Sequence, residues 1–402
     1  MTNRMSRGEF IALVAMMFAT IAFSIDSMLP ALPEIGAELS PNDMNKAQLI
    51  LTSFVLGMGI GTFFTGPISD AVGRKPVIYG GVALYIFASA VAWASSSLEL
   101  VLAARVLQGL GAAGPRVVAM AIIRDLFSGR EMARIISIAM MIFTLVPAIA
   151  PLLGAGVIAL VGWRGIFVSF ILFASVIVIW MATRLPESLA PENRRPVRLP
   201  LMTAAVKEML SHPTVRLSIL VQTLCMGLLF TMLTMVQPVF DVIHDRAESF
   251  PFWFGFVALI SGSASLLNAA LVVSLGMRRI VTWALGAQIA ITGCVMVLNM
   301  MPLSPGASFA VFVVWQTTVF FMAGVTMGNL NAIAMEPMGH IAGMAASVIG
   351  SIATVLAAAI AAPIGLLFDG SITPLTTGVL IMCITGFGLM LHMGRIENRL
   401  PA

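Results

Sequence analysis

The stretch Gly66-Pro67-Ile68-Ser69-Asp70-Ala71-Val72-Gly73-Arg74-Lys75-Pro76 separates two long apolar runs. Asp70, Arg74 and Lys75 are costly in hydrocarbon, so this stretch marks a membrane surface. Gly66, Pro67 and Gly73 allow the abrupt turn and close helix approach that so short a link demands. The flanking runs then read as consecutive membrane helices joined by a charged turn.

The rest of the chain agrees. Of its 402 residues 59% are hydrophobic and only 10% charged, with a mean hydropathy of +1.01, whereas soluble domains carry roughly a quarter charged residues. Charges cluster between apolar runs of roughly 20 residues, the length of a membrane-crossing helix. Backbone groups in lipid must be satisfied internally, which leaves helices or a closed barrel. Continuous apolar runs exclude the short alternation of a barrel. The fold class expected is therefore an all-α, polytopic membrane protein. In such a chain the net charge of +4 says less than where the charges lie, and it does not point to nucleic acid.

Spans are expected at about residues 10–32, 47–68, 77–96, 99–121, 135–157, 164–183, 214–236, 250–274, 280–300, 308–332, 342–366 and 373–393. Arg4 and Arg7 precede the first, which is too long for a signal peptide and reads as a retained helix. Twelve spans place both termini on one side. Seventeen of the 22 Lys and Arg then fall on that side, against Lys46, Arg164 and Arg246 on the other, while Arg105 and Arg116 lie within the fourth span. The positive-inside rule makes the crowded side cytoplasmic. The long link 184–213 divides the chain into an N-terminal six-helix bundle (1–183) and a C-terminal one (214–402). It reads as a tether, with a short amphipathic helix over 201–210 that turns Lys207 and Glu208 to the headgroups. Arg278, in the link after the eighth span, follows Arg74 by 204 residues, the offset between the first and seventh spans, but that link lacks the aspartate. The repetition fits two pseudo-symmetric bundles related by duplication.

Several polar side chains fall inside the spans. Asp26, before Pro30 and Pro33, should face an aqueous cavity, pair with a cation or bind a proton, unless it is a boundary residue. On the fourth span Arg105 and Arg116 project within about 20° of each other and about 16 Å apart. They are expected to form a basic stripe, with Gln108 beside Arg105 and with Gly109, Gly111 and Gly114 allowing close packing. Arg105 either locks the bundle through carbonyls and glutamines or couples by charge to Asp26. Arg124 and Asp125 end the fourth span, and Arg74 should approach Asp125. Asp70 should accept hydrogen bonds from a helix N-terminus near Gly343, making the loop Gly66–Lys75 either a latch or a permanent anchor. In the fifth span Pro147, Pro151 and Gly154 suit a gating helix. Gln222, Ser261, Ser265 and Asn268 are candidates to line a substrate cavity, with helix–helix bonding the alternative for them and for Asn329 and Asn331.

No metal-binding constellation or phosphate-binding glycine loop occurs; His212, His244, His340 and His392 are dispersed at span ends. Cys225, Cys294 and Cys383 are solitary and read as packed thiols. Neither an enzyme nor a resident cofactor is expected.

These motifs together resemble the major facilitator superfamily, and more narrowly its Bcr/CflA drug-resistance group. Asp26 with Leu29-Pro30-Ala31-Leu32-Pro33 matches that group's first-helix aspartate and proline-rich exit. Gly66 to Lys75 matches the superfamily's loop signature, and Arg105-Val106-Leu107-Gln108-Gly109 a fourth-helix motif linked to proton coupling. Arg124-Asp125, the antiporter-like Pro147–Gly154 and Gly162-Trp163-Arg164 with Ile166-Phe167 follow in order. Ala150 stands where many antiporters have glycine, and Arg116 is an additional deep charge. The resemblance implies a monomeric drug:proton antiporter of a bacterial inner membrane, surrounded by lipid, with both termini cytoplasmic. Protons are the implied coupling ion, and small, moderately hydrophobic compounds the implied cargo. A dedicated metabolite carrier is the alternative within the same fold, and a membrane receptor or scaffold the alternative outside it.

Overall fold

The computed structural model describes residues 5–397, so Arg4 and Arg399 lie outside the described residues. Among the described residues there are helices and no strands. Eleven stretches have the length and hydropathy to cross a membrane, and one of them, Pro305–Leu366, holds two helices joined through the tight turn Glu336–Ile341. The twelve expected spans are thus present. The chain divides into two compact units, Met1–Leu199 and Pro200–Ala402, each with six spans.

The first unit contains α1 (Arg7–Asp26), α2 (Leu49–Val72), α3 (Arg74–Ala94), α4 (Leu98–Leu126), α5 (Gly129–Val161) and α6 (Arg164–Arg184). Ser6 caps α1: its Oγ accepts from Glu9 N, and Ser6 N donates to the Glu9 carboxylate in return. Glu9 also receives Arg184 at 2.7 and 3.0 Å and Trp180 Nε1 at 3.0 Å, which joins the start of α1 to the end of α6. At the other end α1 stops at Asp26, short of the expected residue 32, because Pro30 has no N–H to continue the ladder. The chain tightens through Leu29–Ala31 into a short helix, Leu32–Leu39. Its Glu38 accepts Trp163 Nε1 and Arg164, both at 2.7 Å, fixing the start of α6.

Helices α2 and α4 touch backbone to backbone. A Cβ on Gly57 would lie 1.9 Å from the Val106 carbonyl oxygen, and one on Gly109 would lie 2.0 Å from that of Phe54. Only glycine fits at this crossing. The contact brings the polar residues of α4 against the start of α2.

In the second unit a linker helix, Leu199–Ser211, precedes α7 (Pro213–Pro238). It buries Met202, Ala205 and Met209 at helical spacing and exposes Lys207 and Glu208, whose carboxylate lies 2.8 Å from His340 Nε2. The eighth span is broken at Ser263 into α8 (Phe250–Gly262) and α9 (Ala264–Leu275). Then come α10 (Met277–Leu298), α11 (Pro305–Met335), α12 (Ala342–Leu366) and α13 (Thr373–Glu397). Helix α7 is central, packing on α11, α12 and α13, and its Ser218 Oγ donates to the Leu330 carbonyl at 2.7 Å. Phe240, Phe250, Phe309 and Phe312 form edge-to-face contacts beyond its end.

The crossing yields a test by thermal unfolding in detergent. Gly109→Ala must force α2 and α4 apart and is expected to destabilise the protein by about 1–3 kcal/mol. Gly80→Ala, with nothing within 4 Å of the new methyl, is expected to leave the midpoint unchanged.

Candidate functional site

Arg105 is wholly buried on α4 and bonds α1 and α2 directly, with α3 joined through Gln108. Its Nε donates to the Ile50 carbonyl of α2 at 3.1 Å, one terminal nitrogen to the Ser24 carbonyl of α1 at 3.0 Å, and the other to Gln108 Oε1. Gln108 Nε2 donates to Ser89 Oγ of α3 at 2.7 Å. The guanidinium lies 4.4 Å from the centre of the Phe54 ring. Tyr85 OH completes the layer, 2.6 Å from Ser24 Oγ; the Ser24 proton is committed to the Thr20 carbonyl, so Tyr85 donates. Ser24, Tyr85 and Ser89 were not among the sequence-derived candidates. Tyr85 was the readable signal, being one of two tyrosines in the chain and lying in mid-span.

Asp26 is the last residue of α1 and 5% exposed. Among the described residues its carboxylate makes no hydrogen bond or ion pair. Arg105 is bonded to the Ser24 carbonyl two residues earlier and not to Asp26, so of the two alternatives its bonds fit the lock through carbonyls and a glutamine and not a direct charge pair. The basic stripe requires correction. Arg116 is exposed, with one nitrogen 4.0 Å from Met58 Sδ, whereas α1, α2 and Phe54 seal Arg105 from solvent. Common direction on a helix does not give a common environment when neighbours cover one end alone.

Pro147 and Pro151 lie inside the unbroken α5. A Cβ on Gly154 would come within 2.1 Å of the Ser27 carbonyl oxygen, so α5 rests directly on the residue after Asp26.

A second cluster forms where α2 turns into α3. The side chain of Arg74 is 7% exposed and bonds Asp125 through two nitrogens, at 2.8 and 3.2 Å. Its third nitrogen reaches Ser69 Oγ at 2.8 Å and the Asp70 carboxylate. Burial and the two-point geometry set this pair apart from ordinary surface ion pairs. Gly73, at φ +108°, makes the turn. Arg124 is exposed and takes no part in these bonds.

The start of the long link is docked on this cluster rather than being a simple tether. The two Glu187 oxygens accept the Arg74 and Lys75 backbone N–H groups, each at 3.0 Å, capping α3 with a carboxylate. Lys75 Nζ donates to the Leu185 carbonyl at 2.7 Å, Ser188 Oγ to Asp125 at 2.9 Å, and Arg195 N to the Asp70 carbonyl at 2.9 Å. Glu187 and Ser188 were not legible in the sequence, because their partners on α3 and α4 lie far away along the chain.

In the second unit Asn268 Oδ1 accepts Asn329 Nδ2 at 2.7 Å, and Ser261 Oγ lies 3.5 Å from the Thr317 carbonyl. Both join the eighth span to α11. Ser265 is exposed, and Asn331 contacts Met335 Sδ on its own helix. Gln222 is buried on α7 with its Oε1 unpartnered. Among the described residues no group of three His, Cys, Asp or Glu side chains is placed to hold a metal.

Glu187→Ala removes the carboxylate cap of α3, a change of about 0.5–2 kcal/mol by analogy with other cap losses. Hydrogen exchange of residues 73–77 is expected to rise while that of mid-α3 stays unchanged.

The chain was compared with known proteins. The model of the Major Facilitator Superfamily matches residues 12–363. A bicyclomycin resistance protein homolog of Haemophilus influenzae is 28% identical over 87% of this chain and 86% of its own. The multidrug resistance protein MdtL of Escherichia coli is 36% identical over 36% of each chain. The crystal structure of a D-xylose-proton symporter superposes with a TM-score of 0.73, at 14% identity, over 96% of this chain and 97% of that one. With the helical architecture already described, the match over most of the sequence establishes that this chain is a multi-pass transporter, not an enzyme, belonging to the Major Facilitator Superfamily.

Proposed function

We propose that this transporter exports small, moderately hydrophobic compounds, multidrug efflux in kind, in exchange for inward protons by alternating access. It acts as a monomeric Bcr/CflA-type antiporter in a bacterial inner membrane, with both termini cytoplasmic. Protons are the coupling ion and no other cofactor takes part. The observation that carries the proposal is Asp26, a carboxyl group almost shut off from water with no bonding partner. Such a group is costly as an anion unless it takes up a proton or meets a cation. The resistance proteins among the relatives support efflux as the direction.

In the proposed cycle Asp26 releases its proton toward the cytoplasm as cargo binds, and regains one from outside as cargo leaves. Linkage requires proton and cargo to alter each other's affinity even without touching. Arg105, always charged and bonded through each of its three guanidinium nitrogens, is a fixed positive charge rather than a carrier. Gly154 against Ser27 lets α5 transmit a change at the end of α1. Arg74, Asp70 and Asp125 act as a cytoplasmic latch that favours the outward-open state.

The test is transport by the full-length protein in oriented proteoliposomes across a panel of hydrophobic drugs and polar metabolites. Substrate-driven proton flux with mutual competition among diverse drugs is the expected result; flux with a single metabolite indicates a dedicated carrier. In Asp26→Asn, counterflow should survive while proton-driven accumulation is lost and the pH dependence of cargo binding flattens. Unchanged stoichiometry and pH dependence would refute the role of Asp26. Asp70→Asn should lower turnover more than protein abundance, and unchanged transport and state populations would rule out the latch.

A further inference from the structure

Two arginines project the same way from α4, and only one of them is bonded into the fold. Arg105 meets an acceptor at each of its three guanidinium nitrogens, as a structural arginine inside a membrane must. Arg116 has no such set. Among the described residues its one hydrogen-bond contact is Met58 Sδ at 4.0 Å, and no acid pairs with it. A thioether is a weak acceptor. The side chain is also deep: the midpoint of α4 is Ala112, four residues or about 6 Å away along the axis. The exposed apolar stripe of α4, Leu100, Ala103 and Leu107, lies about 140–180° around the helix from it. An exposed arginine at that depth and on that side faces water rather than lipid.

We propose that Arg116 selects cargo, taking the acidic group of a lipophilic organic anion, a carboxylate or sulfonate on an apolar body. Charge balance calls for an anion there. Away from the span ends the first unit holds two arginines, Arg105 and Arg116, and one acid, Asp26. Neither arginine is bonded to that acid, so positive charge is in excess whether Asp26 is ionised or protonated. In a low-dielectric surrounding such an excess draws an anion. The guanidinium fork offers two parallel N–H donors, which match the oxygens of a carboxylate or sulfonate. The neighbours set the rest of the cargo. Ala112, Ala113, Ala119 and Met120 flank Arg116 on α4, Met58 faces it from α2, and all are apolar.

The inference rests on the export reading and narrows its cargo, while the proton step stays with Asp26. Arg116 lies about 16 Å along α4 from Arg105, and Arg105 bonds the end of α1 that carries Asp26. That separation exceeds the Debye length of about 8 Å at physiological ionic strength. Arg116 therefore selects by charge without fixing the charge of Asp26.

The test is binding to the full-length protein in mild detergent, by isothermal titration calorimetry, of three probes that share one ring system. They are naphthalenesulfonate, neutral naphthalenesulfonamide and naphthylmethylammonium. Sulfonate is expected to bind about tenfold or more tighter than sulfonamide, the equivalent of one charge-assisted hydrogen bond, and ammonium most weakly. Arg116→Gln should bring the sulfonate-to-sulfonamide ratio to about one. Arg116→Lys keeps the charge but loses the fork, and should give a ratio between the two. Thermal midpoints equal to that of the parent protein establish that the variants fold. Where they do not, the parent's own ratio in rising potassium chloride decides, since selection by charge must shrink with salt. Sulfonate binding no tighter than sulfonamide in the parent, or a ratio unmoved by Arg116→Gln or by salt, would overturn the inference. Proton flux in proteoliposomes separates it from the export reading. Drug-driven flux without sulfonate selection keeps export and removes the role of Arg116, whereas sulfonate selection without flux from any compound keeps the anion site and removes export.

Discussion

A guanidinium sealed inside a membrane protein must find its hydrogen-bond acceptors within the fold, and the first unit is arranged around that demand at Arg105. Carbonyl oxygens in mid-helix are already engaged, so the natural donors of acceptor capacity are helix ends. The sequence supplies one where it is needed. Met28 N bonds the Ile25 carbonyl as α1 tightens before Pro30, which takes it away from its ordinary α-helical acceptor, the Ser24 carbonyl. That freed oxygen receives Arg105. The α2–α4 contact at Gly57 and Gly109 is part of the same arrangement, since only a backbone-to-backbone crossing brings the Ile50 carbonyl within reach of Arg105.

Asp26, two residues beyond Ser24, is treated in the opposite way. The proline-rich exit that ends α1 also leaves this carboxylate at the helix terminus, buried and unbonded. One group of the region is over-determined by acceptors on three helices, and the other is determined by none. In the proposed cycle this difference is what separates a fixed charge from a titrating one. A carrier must exist in two protonation states at similar cost, which an arginine, with its very high intrinsic pKa, cannot do.

What the sequence made legible follows the same physics. Hydropathy located all twelve spans because each must bury its backbone in lipid, and the charged turn at Gly66–Lys75 was readable because its residues have no other place to be. The Arg74–Asp125 pair was readable as opposite charges at corresponding span ends. Glu187 was not, because the cap on α3 comes from 113 residues away and any carboxylate near the surface would read alike. The partners of Arg105 were equally hidden: two are backbone carbonyls, which every residue possesses. The difference between buried Arg105 and exposed Arg116 depends on which neighbours cover the helix, and periodicity reports direction alone.

The two units treat their equivalent turns differently. In the first, Gly73 precedes Arg74, and the arginine is consumed by Asp70, Asp125 and Ser69 while Glu187 closes the helix N-terminus. In the second, Gly276 at φ +81° likewise precedes a helix opening with arginines, but the position corresponding to Asp70 holds no acid. The same backbone device, a glycine turn ahead of a helix that opens with arginines, carries a carboxylate cap and an acid-bonded arginine in the first unit and borders a cavity lined by Arg278, Arg279 and Glu336 in the second.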